Sequence, residues 1–425
     1  MSITRPADGL LTVFLGLSCV YWLPGVPIGV LDLFKTVCLF GGGGLALLVV
    51  QRRLGMRVPT GVVGLWGFLL IPISSASALF QAETDAIAVR WIYNFIIAFS
   101  TVTIMYAFAR AGGDIARIVR RAALLLSVIV IVAFFLAVIN YQGFLAPAEY
   151  GSRTIRQNGF AGTRAGWSVG LGVFLPVLFV VWLEKWQRNR RIFTLIMLLT
   201  VTVSTLGSQL LSGGRTGLLA SLVALTLLSW FLVGRRRMFV LVAGLATYVY
   251  VQADFLVSQL RLDRGQGDLD TLSSGRLEGY RLAWEAFRDR PFAGHGFGVV
   301  KDIGIDGQPV SVHNLWLALM ADGGLLLVLT VTSFLIALLW RSWPLLQRRV
   351  PLWQSAPIVF IAAMVACLLE PAVLFGAFQA TALFWFMAGF ARAKTPVVAS
   401  GSQPSLEGQQ QSQERRSAPR FSLKR

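Results

Sequence analysis

Three short groups in this 425-residue chain hold the side chains that a group transfer needs. The first is Ser212-Gly-Gly-Arg215-Thr-Gly217, a tight turn ahead of an apolar run. A glycine-rich helix start leaves backbone N–H donors open, and a guanidinium adds a planar, two-pronged clamp for phosphate oxygens. The second is Ser273-Ser-Gly-Arg276, which opens a predicted helix and offers a second guanidinium in the same chemical setting. The third is Val312-His313-Asn314, at the start of another apolar run. Helix-start N–H groups favour the neutral imidazole, the form that takes up a proton. His313 is therefore the candidate general base, and Arg215 and Arg276 are the candidate anion clamps.

A second tier of residues surrounds these. Arg156 and Arg164, with Arg153, form a basic cluster in another loop. Arg288 lies on the helix expected to start near Ser273 and to end near Arg290, before Pro291. Asn314 adjoins the candidate base. Glu370, before Pro371 near the end of an apolar run, is placed to orient a base or an arginine. Each has a plainer reading. An arginine at a bilayer surface snorkels to lipid phosphate, and a lone histidine at a helix start is commonly a cap. Arg281 reads best as part of a salt-bridged solvated face with Glu285. His295, inside Gly294-His-Gly-Phe-Gly298, reads as a loop residue.

Metal chemistry finds little support. Asp268-Leu-Asp270 has the D-x-D look of a metal–nucleotide site, but two aspartates in a Gly/Asp-rich loop usually mark a turn. No other His/Cys/Asp/Glu cluster has ligand spacing, so no metal and no cofactor are expected. Cys19, Cys38 and Cys367 lie in apolar segments and read as buried small hydrophobes.

The elements that must position these residues are membrane spans. The chain is 56% hydrophobic and 14% charged, against about 25% charged in soluble domains. Apolar runs fall near 10–23, 28–50, 60–80, 91–109, 118–140, 165–183, 192–207, 216–233, 238–253, 313–339, 353–375 and 376–391. A spanning helix needs about 20 apolar residues, which gives an all-α polytopic bundle of about twelve spans. Loops after the even-numbered spans carry seventeen Lys and Arg, and the short loops opposite carry five. Both termini are therefore expected in the cytoplasm, and the loop 254–312 outside it. The formal charge of +18 is spread over short loops and a basic tail, which argues against nucleic acid and for anionic lipid heads.

Residues 1–392 are expected to form one transmembrane domain that includes the loop 254–312. Residues 393–425, rich in Ser, Gln and charge, are expected to be a disordered cytoplasmic tail. In the loop helix, Leu277, Tyr280, Trp284 and Phe287 recur at offsets of three and four, an apolar stripe for the bilayer surface or the bundle. Asp32 and Lys35 read as a self-neutralising pair one turn apart, and glycines 41–44 as close helix packing.

With these residues in place, the chain resembles the O-antigen ligase family, within the O-antigen polymerase/ligase superfamily. The resemblance rests on Ser-Gly-Gly-Arg215-Thr-Gly entering a span, and on Ser-Gly-Arg276 followed by Tyr280 and Trp284. It continues through Arg290-Pro-Phe-Ala-Gly-His-Gly-Phe-Gly298, His313-Asn314 and Asp322-Gly-Gly. In detail it covers about 212–324. The family commonly has an apolar residue at the place of His295 and glutamate near that of Asp322. The resemblance implies a GT-C-like glycosyltransferase in a bacterial inner membrane. Its expected reaction is metal-independent transfer of O-antigen from undecaprenyl pyrophosphate to a sugar hydroxyl of lipid A–core oligosaccharide at the periplasmic face. An O-antigen polymerase or a protein O-oligosaccharyltransferase of the superfamily would use the same donor. A transporter of an anionic lipid or solute is the alternative of another class, and it would need polar residues deep in several spans.

Overall fold

The structure is a computed structural model that describes residues 4–18, 20, 28–54, 70–82, 85–110, 113–139, 159–160, 164–233, 276–298, 312–347, 350–370, 374 and 380–392. Arg153, Arg156, the Asp268-Leu-Asp270 stretch, the expected ninth span and the 393–425 tail lie outside them.

All regular elements among the described residues are helices. In chain order they are α1 (Thr4–Leu17), α2 (Ile28–Leu54), α3 (Ile71–Phe80), α4 (Asp85–Arg110), α5 (Ile115–Ile139), α6 (Arg164–Asn189), α7 (Ile192–Ser212), α8 (Arg215–Leu228), α9 (Arg276–Asp289), α10 (Leu315–Ser342), α11 (Pro351–Cys367) and α12 (Ala380–Arg392). Six helical stretches among the described residues are long and apolar enough to cross a bilayer. They fall in α4 to α8 and α10, where hydropathy places spans 4 to 8 and 10.

The helices pack around α6, whose apolar stretch is 89% buried against α5, α7, α8, α11 and α12. The core is Leu, Val, Phe and Ala from all of these, with Trp385 and Phe386 of α12 at full burial. α6 and α8 approach most closely at Ser168 and Gly217. A Cβ on Gly217 would strike the Ser168 carbonyl, so glycine sets this distance.

One end of the bundle is tied by Glu184 of α6. It accepts from Arg120 Nε of α5 at 3.1 Å and from the Leu352 N–H at the start of α11 at 3.0 Å. A carboxylate at that helix N-terminus satisfies an open donor and suits the helix dipole. The candidate site lies at the opposite end.

Two expectations need correction, and a third is refined. The first span shifts towards the N-terminus, because α1 runs Thr4–Leu17 rather than 10–23. The eleventh does not reach 375 as one helix. α11 stops at Cys367, since Pro371 disfavours helical geometry at Glu370 and cannot supply the N–H that would continue the ladder. The apolar stripe of α9 is split. Its buried face is Gly279, Ala283 and Ala286, set against Val312, Leu317, Ala318 and Ala321, whereas Leu277 and Trp284 are exposed.

Asp32 and Lys35 form the expected pair at 2.9 Å, with Lys35 fully buried. The four glycines divide. Gly41 and Gly42 meet Leu10, and Gly42 also Leu11, of α1, Gly43 meets Ile104 of α4, and Gly44 faces open space.

Candidate active site

The site is assembled from four helix ends. The first is the α7–α8 turn. Gly213 takes the left-handed conformation at φ 63° and caps α7, donating its N–H to the Leu210 carbonyl at 2.9 Å. Gly214 donates to the Gln209 carbonyl at 3.1 Å. These bonds close α7 with a glycine cap and reverse the chain in two residues, so Arg215 is the first residue of α8. Ser168 of α6 braces the turn, its hydroxyl donating to the Gly214 carbonyl at 2.8 Å. Gln209 Nε2 donates to the Ser168 carbonyl at 3.0 Å. No side chain caps the start of α8, so its first-turn N–H groups are not taken up by a capping side chain.

The second is the start of α10. Asn314 is its N-cap, accepting from the Leu317 N–H at 3.1 Å. Asn314 Nδ2 also donates to the Leu368 carbonyl at 3.1 Å. One side chain thus joins the start of α10 to the end of α11. His313 sits just before the cap, and its carbonyl accepts from the Tyr280 hydroxyl at 3.2 Å.

The third is the end of α11. A helix ends with carbonyls that lack an intrahelical partner. Here Leu368 serves Asn314, and Leu369 accepts from Arg276 Nη1 at 3.1 Å. Glu370 follows directly. Its Oε1 lies 3.4 Å from Arg276 Nη2, and its Oε2 lies 3.5 Å from His313 Nδ1. Glu370 and Arg276 are 14% and 22% exposed, so this pair is well shielded from water.

The fourth is α9, which begins with Arg276. Its electrostatic field reaches Arg215. Two like charges that act on one another in a sheltered place favour an anion between them.

The imidazole has a defined orientation. His313 Nδ1 is buried and makes no hydrogen bond, and it faces the Glu370 carboxylate at a distance longer than a formed hydrogen bond. A carboxylate on that side favours a proton on Nδ1 and leaves Nε2 as the basic nitrogen. The ring is about one-third exposed, so a substrate can reach it.

A glycine-rich turn fixes α9 to the bundle. α10 breaks its helical geometry at Gly324, with φ 69° and ψ −170°. The break frees carbonyls, and the turn after α9 takes them. His295 and Gly296 donate to the Ala321 and Asp322 carbonyls at 2.9 Å each, and Leu325 N–H donates back to Pro291 at 2.7 Å. A Cβ on Gly324 would collide with the Phe292 carbonyl. On its other side the turn meets α3, where the Phe297 N–H donates to the Ala78 carbonyl at 2.9 Å. The buried Phe297 ring stacks on Trp91 of α4 at 4.3 Å.

The structure therefore brings His313, Arg276, Glu370 and Asn314 into one hydrogen-bonded and ionic cluster, and Arg276 acts electrostatically on Arg215. Arg288 lies at the far end of α9, about 18 Å of helix from Arg276, and is exposed. Arg164 opens α6, and only its backbone is described. Arg281 is exposed and pairs with Glu278 and with Glu285. His295 is structural, its Nε2 bonded to the Ala286 carbonyl at 2.9 Å. Among the described residues no group of three or more His, Cys, Asp or Glu side chains could hold a metal.

Several contributors escaped the sequence. The sequence marks Tyr280 as a motif and apolar-stripe residue rather than a hydrogen-bond donor, and it singles out neither Ser168 nor Gln209. Asp322-Gly-Gly had no physical reason until the kink showed one. The clue for Ser168 was a polar residue inside an apolar span, a kind that repays inspection.

An all-helical bundle with spanning helices, and with a base, a carboxylate and two guanidiniums at one end, is a polytopic membrane protein with a polar site at one face. Residues 201–332 match the model of the O-antigen ligase family. The match supports the resemblance that the motifs carry, over the same part of the chain. The match takes in the second half of α7, all of α8 and α9 and most of α10, and so includes Arg215, Arg276 and His313. It marks the protein as a membrane glycosyltransferase of the ligase/polymerase type. No curated protein matches the sequence.

Proposed function

We propose that the protein ligates O-antigen, carried on undecaprenyl pyrophosphate, to a sugar hydroxyl of lipid A–core oligosaccharide, at the periplasmic face of the inner membrane. The observation that carries this reading is the bridge made by Glu370, 3.5 Å from His313 and 3.4 Å from Arg276. It couples a base to a cation whose charge acts on Arg215.

His313 Nε2 takes the proton of the acceptor hydroxyl as its oxygen attacks the anomeric carbon. Glu370 steadies the charge that arrives on the imidazole. The bond from the anomeric carbon to the pyrophosphate oxygen breaks, and the leaving group gains negative charge. Arg215, Arg276 and the open N–H groups at the start of α8 receive that charge. Displacement in one step inverts the anomeric centre. The guanidiniums supply the positive charge a metal gives elsewhere, so the reaction is proposed to be metal-independent. The GT-C-like fold and twelve spans, with both termini in the cytoplasm, belong to this proposal. So do the 1–392 catalytic domain with its 254–312 loop, and the disordered tail.

The test is transfer by the purified protein, with a defined lipid-linked glycan and lipid A–core, in detergent with chelator. Product should form, with inverted linkage, and should vanish in His313→Ala at equal protein level. Transfer only to a growing glycan chain or to a protein acceptor would reassign the reaction within the superfamily.

A further inference from the structure

Outside the catalytic cluster the described residues form an apolar cavity of about 570 Å³ between α2, α3 and α4. Phe40, Gly44, Leu79, Phe95, Phe99 and Ile104 are among its walls. Along α4 the lining runs from Ile92 to Ile104, twelve residues and about 18 Å of helix. Half of a bilayer's hydrocarbon core is about 15 Å, so the cavity is as deep as one leaflet. Gly44 meets nothing within 4 Å of a would-be Cβ, so the wall is open at the place where a side chain would fill it.

Beyond the cavity's end at Leu79 the α3 segment turns polar. Gln81 lies two residues beyond Leu79, and its Oε1 accepts from Arg290 Nη1 at 3.3 Å. Among the described residues that guanidinium has an ion pair with the exposed Asp289 carboxylate, at 3.9 Å. Phe80 and Phe292 stand beside it, 92% and 76% exposed. Arginine and aromatic rings above an apolar cleft match the layers of a lipid, with phosphate above and chain below.

We propose that this cavity is a seat for one anionic glycerophospholipid, with an acyl chain between α2, α3 and α4 and its phosphate on Arg290. The volume suits a single chain, and one guanidinium suits one phosphodiester. Arg290 lies at the opposite end of α9 from Arg276. A pyrophosphate held by Arg215 and Arg276 therefore cannot also set the head of its own chain at this mouth. The seat is distinct from the proposed donor site and does not depend on the transfer reaction. The lipid would brace α3 against the turn at Phe297, and so help to hold α9 in place.

The test is native mass spectrometry of the full-length protein in detergent, titrated with phosphatidylglycerol or phosphatidylcholine. The wild type should keep one phosphatidylglycerol about tenfold more tightly than phosphatidylcholine, the effect of one charge-assisted contact. Gly44→Leu should lose the tight site for both lipids. Arg290→Gln should keep the chain site and lose the preference for phosphatidylglycerol. Unchanged preference in Arg290→Gln would overturn the proposal, as would an unchanged tight site in Gly44→Leu of wild-type Tm. Displacement of phosphatidylglycerol, one for one, by undecaprenyl phosphate at equal concentration would also overturn it and assign the cavity to a polyprenyl chain.

Discussion

Replacing Glu370 with glutamine removes one charge and almost no volume. The amide oxygen can still accept from Arg276, and the Leu369 carbonyl still holds that guanidinium at 3.1 Å. What is lost is the negative charge 3.5 Å from His313 Nδ1. At an effective dielectric of about 20, a full charge pair at that distance is worth about 5 kcal/mol. The imidazole is partly open to water, so about half of that remains, on the order of 2–3 kcal/mol. Only the part felt as the proton reaches His313 affects the rate, and that is nearly all of it, because a neutral imidazole gains little from the carboxylate. The expected result is a kcat about a hundredfold lower with KM for the donor little changed. The assay is steady-state transfer with defined donor and acceptor. A double variant gives the sharper reading. If Glu370 acts through His313, adding Glu370→Gln to His313→Ala should cost no more than about threefold, because the two act as a unit. Wild-type kcat in Glu370→Gln, or a full additional loss in the double variant, would refute the reasoning.

Substitutions at four further positions test the same geometry. Arg215→Lys keeps the charge but loses the planar fork, and transfer should fall by about tenfold or more, read as kcat/KM for the donor. Asn314→Asp keeps the cap on α10 but cannot donate to the Leu368 carbonyl, so it should fold normally and transfer poorly. Asn314→Ala should also lower stability by about 1 kcal/mol, seen as a reduced Tm in a thermal melt. Gly324→Ala sets a Cβ against the Phe292 carbonyl in a backbone conformation that L-residues avoid, and should destabilise by about 1–3 kcal/mol. Arg281→Ala removes only exposed pairs, so its transfer rate and Tm should match the wild type.

Much of this was legible in the sequence because bilayer solvation leaves so few choices. Backbone groups in hydrocarbon must bond within a helix, so runs such as 118–140 and 192–207 map onto α5 and α7. The same economy exposed the site. In a chain with so few charges, Arg215, His313 and Glu370 stand out at the ends of apolar runs, and Arg276 at the start of the loop helix. The contact of Glu370 with His313 was not legible, because it joins residues 57 positions apart through the stop of α11. That stop is written locally, in Pro371, yet hydropathy ran on past it. The docking face of α9 was not legible for another reason. Large apolar residues weigh most in a periodicity reading, but the helix docks through Ala283 and Ala286, where small side chains permit close approach. Asp322-Gly-Gly looked like a motif without a cause. Its cause is a kink whose freed carbonyls are taken by a turn some thirty residues earlier in the chain, and no local pattern reports such a partner.

The most direct measurement is an experimental structure with the undecaprenyl pyrophosphate-linked glycan bound. The account predicts phosphate oxygens within about 3 Å of both the Arg215 and Arg276 guanidiniums, and the anomeric carbon beside His313 Nε2. A pyrophosphate seated away from both arginines, or an imidazole turned from the sugar, would contradict it.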